Sequence, residues 1–366
     1  MKNKRTQTVA VLLCAIGIVI VILLLIAFVG KGKDKKVKVG FIMSGSCEET
    51  GWNGIHYNGM KNACDALGVK LLVKENVKEF NGECKTAIRE LVKEGAELII
   101  LSSYNYSEEV KDEIKKYPKV AFYANSSEYH DVNMTSYFSR MYQARYLAGI
   151  VAGMQTETGK IGYVAAMSNN EVNRGISAFT LGVKKVNPAA EVIVAWSGDW
   201  DKEDEEKRLT EVLVKEEGAD VMTYHQNQPN VVEMAEQLGA YSIGYHEALT
   251  GQTENYLMSV VCDWEMVYKE LVKSYLTGKA NEKENYWIGM EVEAVGLSEY
   301  SELISGEIRQ RVKTEKREII AGKDVFSGII YDTDGVLRCG EKEMISDEVL
   351  LEQFDWFVEG VRFYEE

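Results

Sequence analysis

Proline is almost missing from this chain, with three in 366 residues, and no low-complexity run occurs. Disordered composition is therefore excluded for the bulk of the sequence. Cysteine spacing excludes two further classes. Cys47, Cys64, Cys84, Cys262 and Cys339 are scattered and lack C-x-x-C pairs, so neither a zinc site nor a dense disulfide framework fits. They read as buried or half-buried thiols, with a single Cys47–Cys84 bridge as the alternative. Catalytic signatures are missing too. There is no H-E-x-x-H, Walker loop or G-x-G-x-x-G, and Gly45-Ser-Cys47 is not a G-x-S-x-G elbow. Glu48 and Glu49 are neighbours on a loop, a poor acid/base couple. The chain reads as a non-enzyme needing neither metal nor cofactor.

Basic residues are scarce outside the N-terminus. The formal charge is −15, yet residues 1–38 hold eight Lys/Arg against one Asp. The remainder carries 34 basic and 56 acidic side chains. A body that acidic repels phosphate backbones, which excludes nucleic acid as the expected partner.

What is present begins with an apolar run, Thr8–Gly30, free of charge over 23 residues. As a helix it would be roughly 34 Å long, enough to cross a bilayer. A cleaved signal peptide is the alternative, but its hydrophobic region is usually shorter and Ala27-Phe-Val-Gly-Lys31 is a poor cleavage site. The expectation is an uncleaved single-pass anchor. Lysines flank both ends, so charge leaves its orientation open.

After the linker 31–38 the pattern is α/β. The apolar strand Val37–Met43 is followed by a helix at Trp52–Leu67, with Met60, Ala63, Cys64 and Leu67 on one face. Strands at 70–73, 97–102 and 119–123 alternate with helices at 84–94 and 107–116. A helix at 139–153 follows, and the alternation restarts with strands at 160–167, 191–196, 219–224 and 241–245 and helices at 173–187, 203–217 and 230–238. Further helices are expected at 264–276, 303–321 and 347–361, and a hairpin turning at Asp332-Thr-Asp-Gly335. Two tandem α/β units with mostly parallel sheets follow from this spacing. In such sheets ligands bind beyond the strand C-terminal ends.

The loops at those ends carry more chemistry than a connection needs. Trp52, Asn53 and His56 stand where the first strand hands over to the first helix. Trp52 and His56 share a helical face that runs on into Met60, so an extension of the core is the competing reading. Tyr104 and Asn125 follow the next strands. In the second unit Asn169 with Asn170, Trp196, His225 with Gln226, and Tyr245 with His246 hold the equivalent places. Trp264 and Trp287 read as core or hinge residues, and Arg140 as a partner for a carboxylate or for a ligand.

Several segments together resemble the basic membrane protein family of ABC-transporter substrate-binding proteins, in its purine or nucleoside branch. They are Val39-Gly-Phe-Ile with Gly51-Trp-x-x-x-His56-x-x-Gly59, Tyr142-Gln-Ala-Arg-Tyr-Leu-Ala-Gly-Ile-Val-Ala-Gly153, and Lys160-Ile-Gly-Tyr-Val-Ala-Ala-Met167. Arg174-Gly-Ile-Ser-Ala-Phe-Thr-Leu-Gly-Val183, Gly218-Ala-Asp-Val221, Ile243-Gly-Tyr245 and Asp355-Trp-Phe-Val-Glu-Gly-Val361 continue in the family's order.

The resemblance implies a two-lobed type I binding-protein fold crossed three times by the chain. Lobe 1 is expected at 37–137 plus about 262–290, and lobe 2 at 138–261 plus about 291–366, after a stub, anchor and linker over 1–36. It implies a purine base or nucleoside clamped between aromatic rings, Trp52 first among them, with the polar loop residues named above reading its edge. It also implies delivery to ABC permease subunits, from a binding domain held outside the cell membrane. Members commonly place an acidic residue after Gly-Tyr, where this chain has His246. A membrane-anchored sensor or regulator with the same fold is the alternative role.

Overall fold

The computed structural model describes residues 36–49, 52–126, 129–246, 248–249, 254–283 and 285–365. The expected anchor at Thr8–Gly30 lies outside them.

Two parallel sheets form two lobes. In the first, β1 (Lys38–Ile42), β2 (Lys70–Lys74), β3 (Leu98–Leu101), β4 (Ala121–Asn125), β5 (Met134–Ser139) and β11 (Asn285–Ile288) lie in the order β11-β5-β4-β3-β1-β2. All neighbours there are parallel. In the second, β6 (Lys160–Ala165), β7 (Glu191–Trp196), β8 (Val221–His225), β9 (Tyr241–His246), β10 (Tyr256–Cys262), β12 (Val295–Leu297) and β15 (Val361–Phe363) lie in the order β12-β10-β9-β8-β6-β7-β15. Only the edge strand β12 runs antiparallel.

Parallel sheets need cover on both faces, and the period-two alternation of apolar side chains supplies it. Val39 and Phe41 point into the core shared with α1 (Trp52–Leu67) and α8 (Trp264–Leu276). Ile99 and Leu101 point the other way, toward α2 (Glu83–Glu94) and α3 (Tyr106–Ile114). In the second lobe Ile161, Tyr163 and Ala165 face α4 (Met141–Gln155) and α5 (Asn170–Val186). Val164 and Met222 face α6 (Glu203–Lys215) and α7 (Asn230–Leu238).

The α4–α5 contact is closed by glycine. A Cβ at Gly149 would stand 1.9 Å from the Phe179 carbonyl oxygen, and one at Gly182 would stand 2.0 Å from that of Tyr146. The two backbones therefore touch directly, which seats α4 deep between α5 and strands β10 and β12.

The chain passes between lobes after β5, after β10 and after β11. The passages are tied together: Arg140 N donates to Ile288 O (2.7 Å), Asp263 N to Ala294 O (2.7 Å), and Met290 N to Gln143 Oε1 (2.9 Å). The C-terminal segment leans on this hinge. Arg140 lies over the Trp287 ring at 4.3 Å and pairs with Asp347 of α10 (Asp347–Glu352), while Tyr142 OH donates to Asp324 at 2.9 Å.

Three expectations need correction, and the thiol reading of the cysteines holds over its bridged alternative. The helix expected at 139–153 starts at Met141, because Ser136–Ser139 is consumed by β5 pairing with β11. The helix expected at 347–361 stops at Glu352. Phe354, Trp356 and Val358 are buried on alternate positions, an extended rather than a helical pattern, and the chain ends at the edge of the second sheet as β15. Strands β5, β10, β11 and β12 were not anticipated. The five cysteines named above are all free thiols, so the Cys47–Cys84 bridge is not made. The hairpin does form, as β13 (Ile330–Tyr331) and β14 (Leu337–Cys339), with Asp332 accepting from Asp334 N, Val336 N and Arg338 Nε. Helix α9 (Gly306–Ile320) matches its expected segment, capped by Ser305.

Gly149→Ala should force α4 and α5 apart and destabilise the protein by about 1–3 kcal/mol, the usual range for overpacking. Urea unfolding of the full chain would measure this. A midpoint equal to that of the parent would show that the helix contact has slack.

Candidate functional site

Strand β1 ends in a loop that the sequence ties to itself. Asn53 Oδ1 accepts from Gly45 N (3.1 Å) and its Nδ2 donates to Glu49 Oε2 (2.9 Å). This fixes the first turn of α1 and aims Trp52 outward. Helix α1 then packs on α8 through Gly59, whose Cβ would lie 2.8 Å from the Trp264 carbonyl carbon. That close approach brings the His56 ring to 3.8 Å from the Trp264 ring, and His56 Nδ1 to 2.5 Å from Tyr268 OH.

On the opposite lobe β8 and β9 end in His225 and His246. The His246 backbone is left-handed, with φ 76°. Only its surroundings hold such a conformation for a non-glycine residue. The result is a column of rings crossing from lobe to lobe. Trp52 leans on His56 at 3.9 Å and stacks on His246 at 5.6 Å with planes 18° apart. His246 stacks on Tyr245 at 5.5 Å, and Tyr245 meets His225 at 4.5 Å. Trp200 closes the far end, 5.9 Å from His225. Trp52 is 36% exposed, so its indole is not sealed inside one lobe.

The polar atoms around this column are unusual. Asn125 Nδ2, His56 Nε2, His225 Nδ1, both His246 nitrogens, Trp264 Nε1, Tyr163 OH, and Arg145 Nε and Nη1 are buried without a protein partner among the described residues. Buried polar groups are nearly always paired, and each unpaired one costs about 1–3 kcal/mol. Their concentration at one place marks a surface that can hydrogen-bond something else.

Three imidazoles here are held neutral. Burial pushes His225 and His246 down to about 4, and His56 well below its ordinary value. Burial would raise the Glu171 carboxyl, but its contact with His225 at 3.7 Å and the nearby Arg174 guanidinium outweigh it and hold it below the usual carboxylate range. Neutral imidazoles offer one donor and one acceptor each, so the column is a stacking surface with adaptable edges.

The remaining candidates are placed less centrally. Tyr104 is half-exposed on the loop before α3. Asn169 caps α5 by accepting from Val172 N (3.0 Å), and Asn170 begins that helix. Trp196 stacks on Phe363 and approaches Phe357, both at 6.1 Å, at the edge of its sheet. Gln226 is engaged locally, donating to the Asp199 and Trp200 carbonyls and accepting from Ser197 Oγ. Arg140 pairs with Asp347. The sequence reading passed over Arg145, Glu171, Trp200 and Tyr268. For Arg145 a signal existed: it is the one charge within α4, a helix buried along nearly all its length.

A family model described as ABC transporter substrate-binding protein PnrA-like (Bmp) matches residues 36–326. The chain belongs to the basic membrane protein family. This is a family of solute-binding proteins rather than enzymes, and membership implies a small-molecule ligand and permease partners. A purine-binding protein of Brucella abortus is 29% identical over 331 residues, covering 89% of this chain and 93% of its own. A putative ABC transporter glucose-binding protein of Haloferax volcanii is 33% identical over 268 residues, 72% of this chain and 65% of its own. Among solved structures, a transcriptional activator of the comK gene from Bacillus halodurans superposes with a TM-score of 0.70 at 26% identity, covering 78% of this chain and 98% of that one.

Unfolded imidazoles titrate near 6.5, whereas His225 and His246 do so near 4 in the fold. Between these values the unfolded chain binds more protons. Their contribution to stability is therefore complete above about pH 6.5 and is lost as pH falls toward 4, at about 3 kcal/mol per imidazole. Urea midpoints of the full chain should drop over that window. His246→Asn, which tolerates a left-handed backbone, should flatten part of the slope; an identical slope would place the acid sensitivity elsewhere.

Proposed function

We propose that the protein is a membrane-anchored, extracytoplasmic receptor that takes a purine base or nucleoside between its lobes and presents it to an ABC permease. The observation that carries this reading is the face-to-face approach of Trp52 and His246 from opposite lobes, surrounded by unpaired donors and acceptors. A planar heteroaromatic ring needs stacking faces and a hydrogen-bonding edge, and both are at hand. The purine-binding relative supports the ligand class.

Geometry also fixes what binding requires. A flat ring needs about 3.5 Å on each face, or about 7 Å between the rings that sandwich it. Trp52 and His246 stand 5.6 Å apart. Entry of a base between them therefore requires the lobes to part and reclose, the motion that a receptor uses to report occupancy. In this reading the passages after β5, β10 and β11 serve as the hinge.

A second reading is a ligand sensor that signals rather than feeds a transporter. It is favoured by likeness to a transcriptional activator, and by the C-terminal segment beyond the family match, whose Asp347 grips Arg140 at the hinge. In both roles the ligand stabilises the closed protein by RT ln(1 + [L]/Kd).

Thermal melts of the full chain in detergent, against purines, pyrimidines, their nucleosides and hexoses, test the ligand class. A purine or its nucleoside should raise the melting temperature. A rise with a hexose alone would overturn the purine assignment. Trp52→Ala should weaken purine binding about ten- to a hundredfold, from the roughly 1–3 kcal/mol that a base gains on an aromatic ring. Unchanged affinity would remove Trp52 from the site.

A further inference from the structure

Residues 347–358 form a strap that is fastened on two sides. One side is joined to the start of α5 in the second lobe. Arg174 Nη1 donates to Leu350 O, Asn173 Nδ2 donates to Phe354 O (3.1 Å), and Ser177 Oγ accepts from Val358 N (3.3 Å). Leu350, Phe354 and Val358 are buried, so the strap is packed down as well as hydrogen-bonded.

The other side reaches a residue held by the first sheet. Arg140 stands in the passage after β5, where its backbone N donates to Ile288 O (2.7 Å) and its Nε to Trp287 O (3.1 Å), both on β11. Its guanidinium then grips Asp347 with two prongs, Nη1 at 2.8 Å from Oδ1 and Nη2 on Oδ2. Trp287 repeats the link. Its indole is anchored in the first sheet by Nε1 donating to Ser139 O (2.9 Å), while Arg174 from the second lobe lies 4.9 Å from the ring centroid.

These links exist in an arrangement where the lobes already touch, through Trp52 and His246. Turning one sheet against the other carries Arg140 and Trp287 one way and Asp347 and Arg174 the other. A two-pronged pair and a guanidinium over a ring both depend on orientation, so both weaken on opening. The Asp347 side chain is half-exposed, and such a pair adds little to folding stability. A balance between open and closed lobes is finer, and a small bias shifts its populations several-fold.

We infer that the 347–358 strap is a latch that biases the empty lobes toward closure, with Asp347 as its fastening. The inference goes beyond the function proposed above and holds whichever ligand enters.

The test is the distance between the lobes of the full chain in detergent, read by double electron–electron resonance. One spin label sits on α2 and one on α6, attached through bioorthogonal side chains so that the native thiols stay unlabelled. Without ligand the parent should show mainly the short, closed separation. Asp347→Ala removes a half-exposed side chain and leaves the Ser346 cap of α10 in place, and its distances should move to a longer, open population. Asp347→Glu, which can keep the pair, should stay near the parent. Glu352→Ala, an exposed carboxylate on the same helix, should change nothing. A parent whose empty lobes already stand apart overturns the inference, as does an Asp347→Ala distribution that matches the parent's. A second arm rests on the purine reading. A base enters only after Trp52 and His246 part, so inosine should associate with Asp347→Ala about threefold faster or more, in step with its open fraction. Unchanged or slower association overturns the latch. Failure of the parent to bind inosine overturns the purine reading and leaves the distances to decide the latch.

Discussion

The stack of Trp52 on His246 is where the two lobes meet through aromatic faces, and much of the surrounding structure serves to hold it. On one side the indole is backed by His56, Trp264 and Tyr268, a layered support made possible because Gly59 lets α1 and α8 touch through their backbones. On the other side His246 is held in a left-handed conformation, against Tyr245. Neither ring is flexible in the way that a lone surface aromatic would be. A contact of this kind is a poor permanent bond, since stacked rings give up little when a third ring replaces one face of each. It is suited to being exchanged for a ligand.

Hydrogen bonding around the column follows the opposite logic from that of the core. In the two sheets backbone groups are paired along parallel ladders, and polar side chains such as Asn133 close local carbonyls. At the strand C-terminal ends the accounting stops balancing, and imidazole, amide, indole and guanidinium groups are buried with free valences. Parallel sheets create this condition. Their C-terminal edges converge on the groove between the lobes, where the Trp52 and His246 rings from opposite lobes meet. Burial then depresses the imidazole pKa values and keeps them neutral, so that the enclosed surface is polar without being strongly charged. Arg145 is the exception, a charged guanidinium buried within the second lobe against the Tyr245 and Tyr163 rings.

The α/β alternation was legible because helix and strand periods differ and because glycines close several helices. Trp52, His56, His225, Tyr245 and His246 were legible as a group because each follows a strand end, and in parallel sheets such positions share one rim. Asn53, Asn169 and Gln226 satisfy the same positional rule, yet each makes hydrogen bonds to its own loop or helix. The rule identifies the rim but not which way a short polar side chain turns. Trp196 follows a strand end as well, but β7 lies next to the outer strand β15, and its indole meets Phe363 there instead of the groove.

The sequence alone determined the two α/β units, the family and the rim from which a binding site is drawn, because periodicity and loop chemistry are local properties. Only the tertiary structure decided the order of the strands within each sheet, with β11 and β12 as edge strands. It alone set Trp52 against His246, and it alone left Arg145 buried with N–H groups to spare. Those outcomes depend on residues roughly 100 to 200 positions apart meeting across the lobe boundary or within one lobe, and no short window of sequence contains both members of such a pair.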